Sequence, residues 1–308
     1  MVIRDWSSDV CSSDLERFHT EANYKHSNWT LAFKYNDADF YDLFGPTKTS
    51  RKGYSLGLTY DRTLTRDGPR VLSFSGNVTG YTGLERLPEY QNVTTSYDEF
   101  LAFGGTLRYS NERASLGAVD YEKGYGWRLG TSNKYVNRKL FSRLHGTFDI
   151  GTPLLFRHSA IWLRSAAGFS PNERDEPLAN YFFGGFGNNW VDRGAVKQYR
   201  TYYSVPGVEI NEIGGVNFVR SMVEWSLPPL RFKRLGIPML YASWARLALF
   251  TTGIVTNVDD DLTRQTVGNV GGQLDIRLEL LSHLRMTFSI GYAGAFEKDR
   301  KPSDELMV

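Results

Sequence analysis

Several residue groups in this chain have types and spacings that could do chemistry. Gly53-Tyr54-Ser55-Leu56-Gly57 matches the G-x-S-x-G signature of a serine nucleophile. That signature works only where a strand turns sharply into a helix and lifts the hydroxyl clear. Here the pentapeptide lies inside an alternating strand with no helical pattern after it, so Ser55 is expected on a polar sheet face. Arg143, His145 and Asp149 share the polar face of one strand. A His–Asp pair needs a nucleophile beside it to be catalytic, and none is placed there, so a charge network is the expected use. Asp275, Arg277 and Glu279 form a second ladder of this kind. Asp259-Asp260-Asp261 and Asn36-Asp37-Ala38-Asp39 offer oxygen ligands, but neither has the glycine and distal glutamate of a calcium loop. No metal, cofactor or catalytic residue is expected. Gly184-Gly185-Phe186-Gly187 lacks the strand-before, helix-after setting of a phosphate-binding turn, and its expected role is to let the backbone turn.

The elements that must carry these residues alternate strictly. Tyr54, Leu56, Leu58 and Tyr60 interleave with Ser55, Gly57, Thr59 and Asp61. Leu274, Ile276, Leu278 and Leu280 interleave with Gln273, Asp275, Arg277 and Glu279, and Leu284, Met286, Phe288, Ile290 and Tyr292 repeat the scheme. A period of two writes a strand with one apolar and one polar face. The pattern predicts strands over 16–25, 28–36, 53–62, 70–81, 97–109, 113–132 (one long strand bulged near Gly124 and Gly126), 139–151, 157–168, 216–227, 237–252, 270–281 and 283–296. A thirteenth begins at Asp304.

Alternation alone does not say which face meets water, because a soluble sandwich and a membrane barrel write the same pattern with inside and outside exchanged. The connections separate them. Longer and shorter links alternate along the chain, as when tight turns line one rim of a barrel and long loops the other. Many runs are longer than the roughly 5–6 residues typical of soluble sheets. Tyr35, Tyr60, Tyr81, Tyr97, Tyr109, Trp225, Tyr241 and Tyr292 gather near strand ends, where interfacial belts sit. The fold class expected is an all-β, antiparallel up-and-down transmembrane β-barrel, with about 13 of 16 strands present.

Composition fits. Among 308 residues there are 18 Tyr, 19 Phe, 7 Trp and 30 Gly, a mixture favouring strands and tight turns. The net charge of +2 gives no reason to expect nucleic acid. Mean hydropathy is negative, and no run of roughly 20 apolar residues exists for a membrane helix. The single cysteine, Cys11, allows no disulfide within the chain. The stretch 1–14 resembles translated sequencing-adapter read-through and is expected to be unstructured, leaving 15–308 as a barrel truncated at both ends.

From about Asn180 the chain reads YFFGGFGNNWVDRG, then PGVEINEIGGVNFVRSMVEWSLPPLRF, and later GYAGAFEKDR. Over about 180–296 this resembles the C-terminal barrel of the bacterial surface antigen family, the BamA-like assembly factors and their relatives. The features that carry it are Gly184–Gly185, a long loop, Gly214–Gly215, Glu224 and Pro228–Pro229. Asp39–Lys48 looks like barrels found behind TolB-like propellers. The resemblance implies an outer-membrane barrel acting as envelope anchor or conduit. Its partners would be membrane lipid and lipopolysaccharide, the assembly machinery, and a periplasmic propeller lost from the N-terminus. Family members that insert proteins carry Arg-Gly-aromatic in the long loop; here Arg193–Gly194 is followed by Ala195, which puts insertase activity in doubt. The alternatives are a passive porin-like channel and a soluble secreted β-rich hydrolase or binding module.

The long loop is the strongest functional candidate. It carries Trp190, Arg193, Arg200, Tyr202 and Glu209, together with Lys197 and Tyr199. A link this long in a compact protein is usually functional or disordered, and its aromatics argue for order. It is expected to fold into the lumen as a plug, with Arg193 or Arg200 on a lumen carboxylate; exposure at the surface is the competing reading.

Overall fold

Alternating segments become strands because each can bury one face and hydrogen-bond both edges. A computed structural model describes residues 20–36, 53–84, 97–186, 196–237, 239–281, 283–297 and 300–307. In chain order the strands are β1 (Thr20–His26), β2 (Trp29–Tyr35), β3 (Tyr54–Asp67), β4 (Arg70–Thr82), β5 (Phe100–Arg113), β6 (Lys123–Val136), β7 (Lys139–Pro153) and β8 (Ala160–Phe169). Then come the short β9 (Tyr181–Phe183) and β10 (Ile213–Gly215), β11 (Asn217–Ser226), β12 (Leu230–Ile237), β13 (Leu240–Thr256), β14 (Gln265–Leu280), β15 (Leu284–Glu297) and β16 (Ser303–Met307). Apart from two 3₁₀ turns, no helix occurs among the described residues, and none is long and apolar enough to cross a membrane.

The chain is all-β, and its strands follow one up-and-down ladder, β1-β2-β3-β4-β5-β6-β7-β8-β11-β13-β14-β15-β16, with β12 also on β13 and β9 pairing β10 separately. Each of the expected segments overlaps one strand of this ladder. The expectation of a closed barrel is not met: among the described residues no pairing joins β1 to β16.

Three segments differ from expectation. The region 113–132 is not one bulged strand; β5 ends at Arg113, 114–122 leaves the ladder, and β6 starts at Lys123. Side-chain contacts hold the departing segment: Glu122 lies 2.8 Å from His158, and Asp120 is 2.8 Å from Lys197. The link expected over 228–236 is mostly β12, which continues β11 along β13, with Leu235, Gly236 and Ile237 opposite Ala242, Tyr241 and Leu240. Pro228 and Pro229 interrupt the two because neither has an N–H to give the ladder. The long link at 253–269 shrinks to 257–264 because β13 and β14 pair out to Thr256 and Gln265.

Backbone contacts divide the chain into two compact units. The first comprises Met1–Tyr109, Arg128–Gly146 and Gly168–Tyr181. In it β1 to β4 pair in register, and Leu56 and Leu58 are exposed while Ser55 and Gly57 are buried. Trp29–Tyr60 and Tyr35–Tyr54 meet as tilted ring pairs, with centroids 4.7 and 4.9 Å apart. Ser55, the second residue of β3, pairs across the ladder with Lys34 and Tyr81, and a strand continues after it, which is no nucleophile elbow.

The second unit comprises Ser110–Trp127, Thr147–Ala167 and Phe182–Val308. Its strands turn their charge inward. Along β11, Phe218, Arg220, Met222, Glu224 and Ser226 are buried while Val219, Val223 and Trp225 are exposed. On β13 and β14, Arg246, Phe250, Thr252, Asn269, Gln273 and Asp275 are buried, against exposed Leu247, Leu249 and Val270. Met286, Phe288, Ile290 and Tyr292 of β15 are exposed as well. The buried face is covered by the segment 196–212, whose Tyr199 packs with Phe186, Met222, Ala248, Phe250 and Ala293.

Candidate functional site

The site is built where this covering segment meets the charged face of β8, β11, β13 and β14. Inward positions on a strand recur every second residue, so Arg220, Met222 and Glu224 stack along one face of β11. Tyr199 enters above them and stacks on Phe250, ring centroids 4.6 Å apart. That stack carries its neighbours Lys197 and Arg200 onto the acidic residues below.

Glu224 is the hub. Its side chain is fully buried, and it accepts hydrogen bonds from Arg164 Nε at 3.0 Å, Arg200 Nε at 2.8 Å, Tyr199 Oη at 3.2 Å and Ser226 Oγ at 3.0 Å. Arg200 Nη2 reaches its other oxygen, so the guanidinium grips the carboxylate through two nitrogens, the strongest geometry for such a pair. The same Nη2 also donates to Asp120 Oδ2 at 2.7 Å. Asp120 further takes Lys197 Nζ at 2.8 Å and Arg246 Nη1 at 3.3 Å. Arg164 adds Asp149 at 3.4 Å, and its guanidinium lies 4.8 Å over the Trp162 ring. Lys197 stands 4.0 Å from Asp275, which is itself held by Gln273 Nε2 at 2.6 Å and Ser289 Oγ at 2.7 Å. Four cations (Arg164, Lys197, Arg200, Arg246) thus face four carboxylates (Asp120, Asp149, Glu224, Asp275). Buried charge persists only when paired and hydrogen-bonded; Glu224, Asp120 and Asp275 each have both kinds of partner. Asp149 keeps one ion pair at 3.4 Å, and Arg246 Nε has no hydrogen-bond partner among the described residues.

Backbone groups of the loop are held too. Arg220 donates to the Ser204 and Tyr199 carbonyls at 3.1 and 3.2 Å, Asn269 to the Pro206 carbonyl at 2.8 Å and Gln273 to the Val196 carbonyl at 2.7 Å. Glu305 of β16 accepts the N–H groups of Phe186 and Gly207, at 3.2 and 3.0 Å. The loop leaves beside Thr256 yet reaches the partners of Arg246, ten residues back along β13, which is about 33 Å of strand. Asp120 belongs to the link between β5 and β6 and the loop to that between β8 and β11. In an up-and-down ladder these links leave opposite strand ends, so Asp120 is met from the far side.

Electrostatics follows burial and partners. Burial alone would raise the Asp120 carboxyl, but Arg200 and Lys197 outweigh it and hold it well below the usual carboxylate range. Burial, aided by the charge of Arg200, pushes the Lys197 ammonium down to about 8. Burial raises the Tyr199 phenol, and the charge of Glu224 adds to that, so it stays a hydrogen-bond donor.

The residues singled out from sequence scatter around this hub. Arg200 is at its centre. Asp149 and Asp275 belong to it, but Arg143 instead donates to the Asn180 carbonyl at 3.0 Å and lies 5.5 Å from the Tyr181 ring centroid. The His145 ring lies over Gly130, where an added Cβ would come within 2.5 Å of it. Arg277 donates to Thr287 at 3.1 Å, and Glu279 accepts from Tyr241 at 3.0 Å. Tyr202 stacks on Phe218 at 5.9 Å between centroids. Glu209 departs from its expected place as a plug contact: it is exposed, at a turn where its N–H meets Glu212. Gly184 and Gly185 donate to the Tyr203 and Val208 carbonyls, with Gly185 at φ 64°. Gly214 and Gly215 lie in β10, where a Cβ on Gly215 would come within 2.8 Å of Thr256. Trp190 and Arg193 lie outside the described residues, as does the stretch 1–14.

Sequence reasoning missed Asp120, Arg164, Arg220 and Arg246. Only Arg246 left a signal, as a lone charge in the most apolar stretch of the chain, a feature that marks function in membrane segments.

Two further groupings have bland geometry. Ser115, Glu122 and His158 meet, but Ser115 Oγ and Glu122 both approach the same ring nitrogen, Nδ1, at 3.4 and 2.8 Å. A relay needs one partner on each nitrogen. In the acidic run, Asp260 caps Leu262 and Thr263, and Asp261 pairs with Arg264 at 2.7 Å. Among the described residues no group of three or more His, Cys, Asp or Glu side chains could hold a metal ion. No family model matches the chain, and no curated protein matches its sequence.

Proposed function

We propose that this chain is part of an outer-membrane β-barrel of the surface-antigen type, serving as envelope anchor or conduit with its long loop locked against the lumen wall. One observation carries the reading: the strands expose Leu, Val, Ile and Phe and bury Arg, Glu, Asp and Gln. Water-soluble sheets do the reverse, whereas hydrocarbon outside and hydrated charge inside call for this arrangement. Strands of 13–17 residues in β3–β7 and β13–β15 exceed the roughly 9–11 needed to cross a bilayer. Lipid and lipopolysaccharide outside, and the assembly machinery during insertion, are the partners this implies. A periplasmic propeller preceding the barrel belongs to the same proposal, as does the resemblance to BamA-like relatives.

The clasp at Glu224 favours a closed conduit over the porin-like alternative, because its charges are spent on each other rather than lining an open path. The test is to express the chain behind a secretion signal, fractionate the envelope and compare gel migration before and after heating. Recovery with the outer membrane and heat-modifiable migration are expected. A protein that is monodisperse without detergent would refute the reading.

A further inference from the structure

We infer that the two links 114–122 and 154–159 form a rigid foot that docks on an anionic phospholipid surface, an inference that rests on the membrane reading above. Leu116 and Leu155 are 102% exposed and Phe156 67%. Apolar side chains exposed as a group beside polar residues, and not singly, mark an interaction site.

They are not loose. Glu122 accepts from the Ser115 N–H at 3.2 Å and from its hydroxyl, and lies 2.8 Å from His158 Nδ1, which ties one link to the other. Arg231 donates to the Gly117 carbonyl. Ser159 closes its own link, receiving Leu154 N–H at 2.8 Å and donating its N–H to Phe156 O at 3.1 Å. Its hydroxyl takes Trp225 Nε1 at 3.0 Å and donates to the Ser226 carbonyl at 3.1 Å. His158 holds φ 62° within this frame, a conformation disfavoured for residues with a β-carbon.

Charge identifies the surface. Both acids of the 114–122 link are consumed, Asp120 by Lys197, Arg200 and Arg246 and Glu122 by Ser115 and His158. Arg113, Lys123 and Arg157 remain exposed beside the apolar tips. Beyond the tips the exposed apolar residues continue through Leu230, Leu235, Ile237, Met239, Leu281 and Leu284. Cations beside apolar tips, next to a face already destined for lipid, suit the headgroup zone of a leaflet carrying net negative charge.

The experiment places single labelled cysteines in a Cys11→Ser background at Leu116→Cys and Leu155→Cys. Leu262→Cys, 96% exposed in the link 257–264, is the aqueous reference, and Val270→Cys on the apolar face is the lipid reference. The full chain is reconstituted in phosphatidylcholine vesicles with and without phosphatidylglycerol, and accessibility to oxygen is compared with accessibility to a water-soluble nickel chelate. The labels at 116 and 155 should read lipid-like with phosphatidylglycerol. Each of Arg113→Gln, Lys123→Gln and Arg157→Gln should shift the ratio toward water by about five-fold. Labels that match Leu262→Cys in both lipids would overturn the proposal and leave the tips to a protein partner. Equal lipid exposure with and without the anionic lipid would overturn it too. If Val270→Cys itself reads aqueous, the membrane reading has failed and the foot fails with it.

Discussion

Replacing Glu224 with glutamine keeps the shape of the side chain and removes one negative charge from among the buried cations Arg164 and Arg200. The buried carboxylate is shared by Arg164, Arg200, Tyr199 and Ser226, and an amide can accept at only one of its two positions. Arg164 is itself buried and keeps only Asp149 at 3.4 Å, while Arg200 keeps Asp120. Breaking a buried pair from one side costs about 3–5 kcal/mol, or roughly a hundred- to several-thousand-fold in the equilibrium between seated and released loop. Loop release exposes the Lys197–Gln198 bond, so limited trypsin digestion of the lipid-reconstituted protein, with the cut located by mass spectrometry, reads the open population. Glu224→Gln should accelerate that cut at least a hundred-fold. Arg200→Met should accelerate it comparably, and the double variant should fall short of the product of the two, since both remove one interaction. A rate within two-fold of the unaltered chain for Glu224→Gln would refute the claim that this carboxylate holds the loop.

Other outcomes follow from the same geometry. Asp120 has a depressed pKa in the seated loop, so its contribution is present above its ordinary value of 3.8 and lost as pH falls below that; the trypsin-accessible fraction, read with an acid-tolerant protease, should rise steeply under pH 4, and less so in Asp120→Asn. Lys197 is pushed down to about 8 from 10.5, so between those values the released state binds more protons and the seat should tighten as pH rises. Lys197→Met should abolish that alkaline gain. Tyr199→Ala should cost about 3–5 kcal/mol of unfolding free energy by emptying the stack on Phe250, and Tyr199→Phe about 1 kcal/mol for one hydrogen bond, both measured by denaturant titration in micelles. Val270→Arg, on the exposed apolar face, should lower folding stability in bilayers by about 2–4 kcal/mol; no change on refolding into vesicles would argue against lipid contact there.

Residue order alone gave most of the local architecture, the segments 113–132, 228–236 and 253–269 excepted. A two-residue period allows nothing but a strand with unlike faces, so the ladder positions and the alternation within each strand could be read directly. The same period is blind to an exchange of the two faces, and only the folded chain shows Leu247, Leu249 and Val270 outside and Arg246, Gln273 and Asp275 inside. Segments where side chains compete with the ladder were misread for a physical reason: 114–122 carries residues that strand propensity would accept, and it leaves the sheet because Asp120 and Glu122 find partners elsewhere. Arg200 was legible as a cation in a loop seeking an acid. Its partners were not, since Glu224 lies 24 residues on and Asp120 80 residues back, and neither separation leaves a mark on either segment. Partner choice across such distances is decided by how far the loop descends along β13, a property of the assembled sheet and not of any stretch of chain.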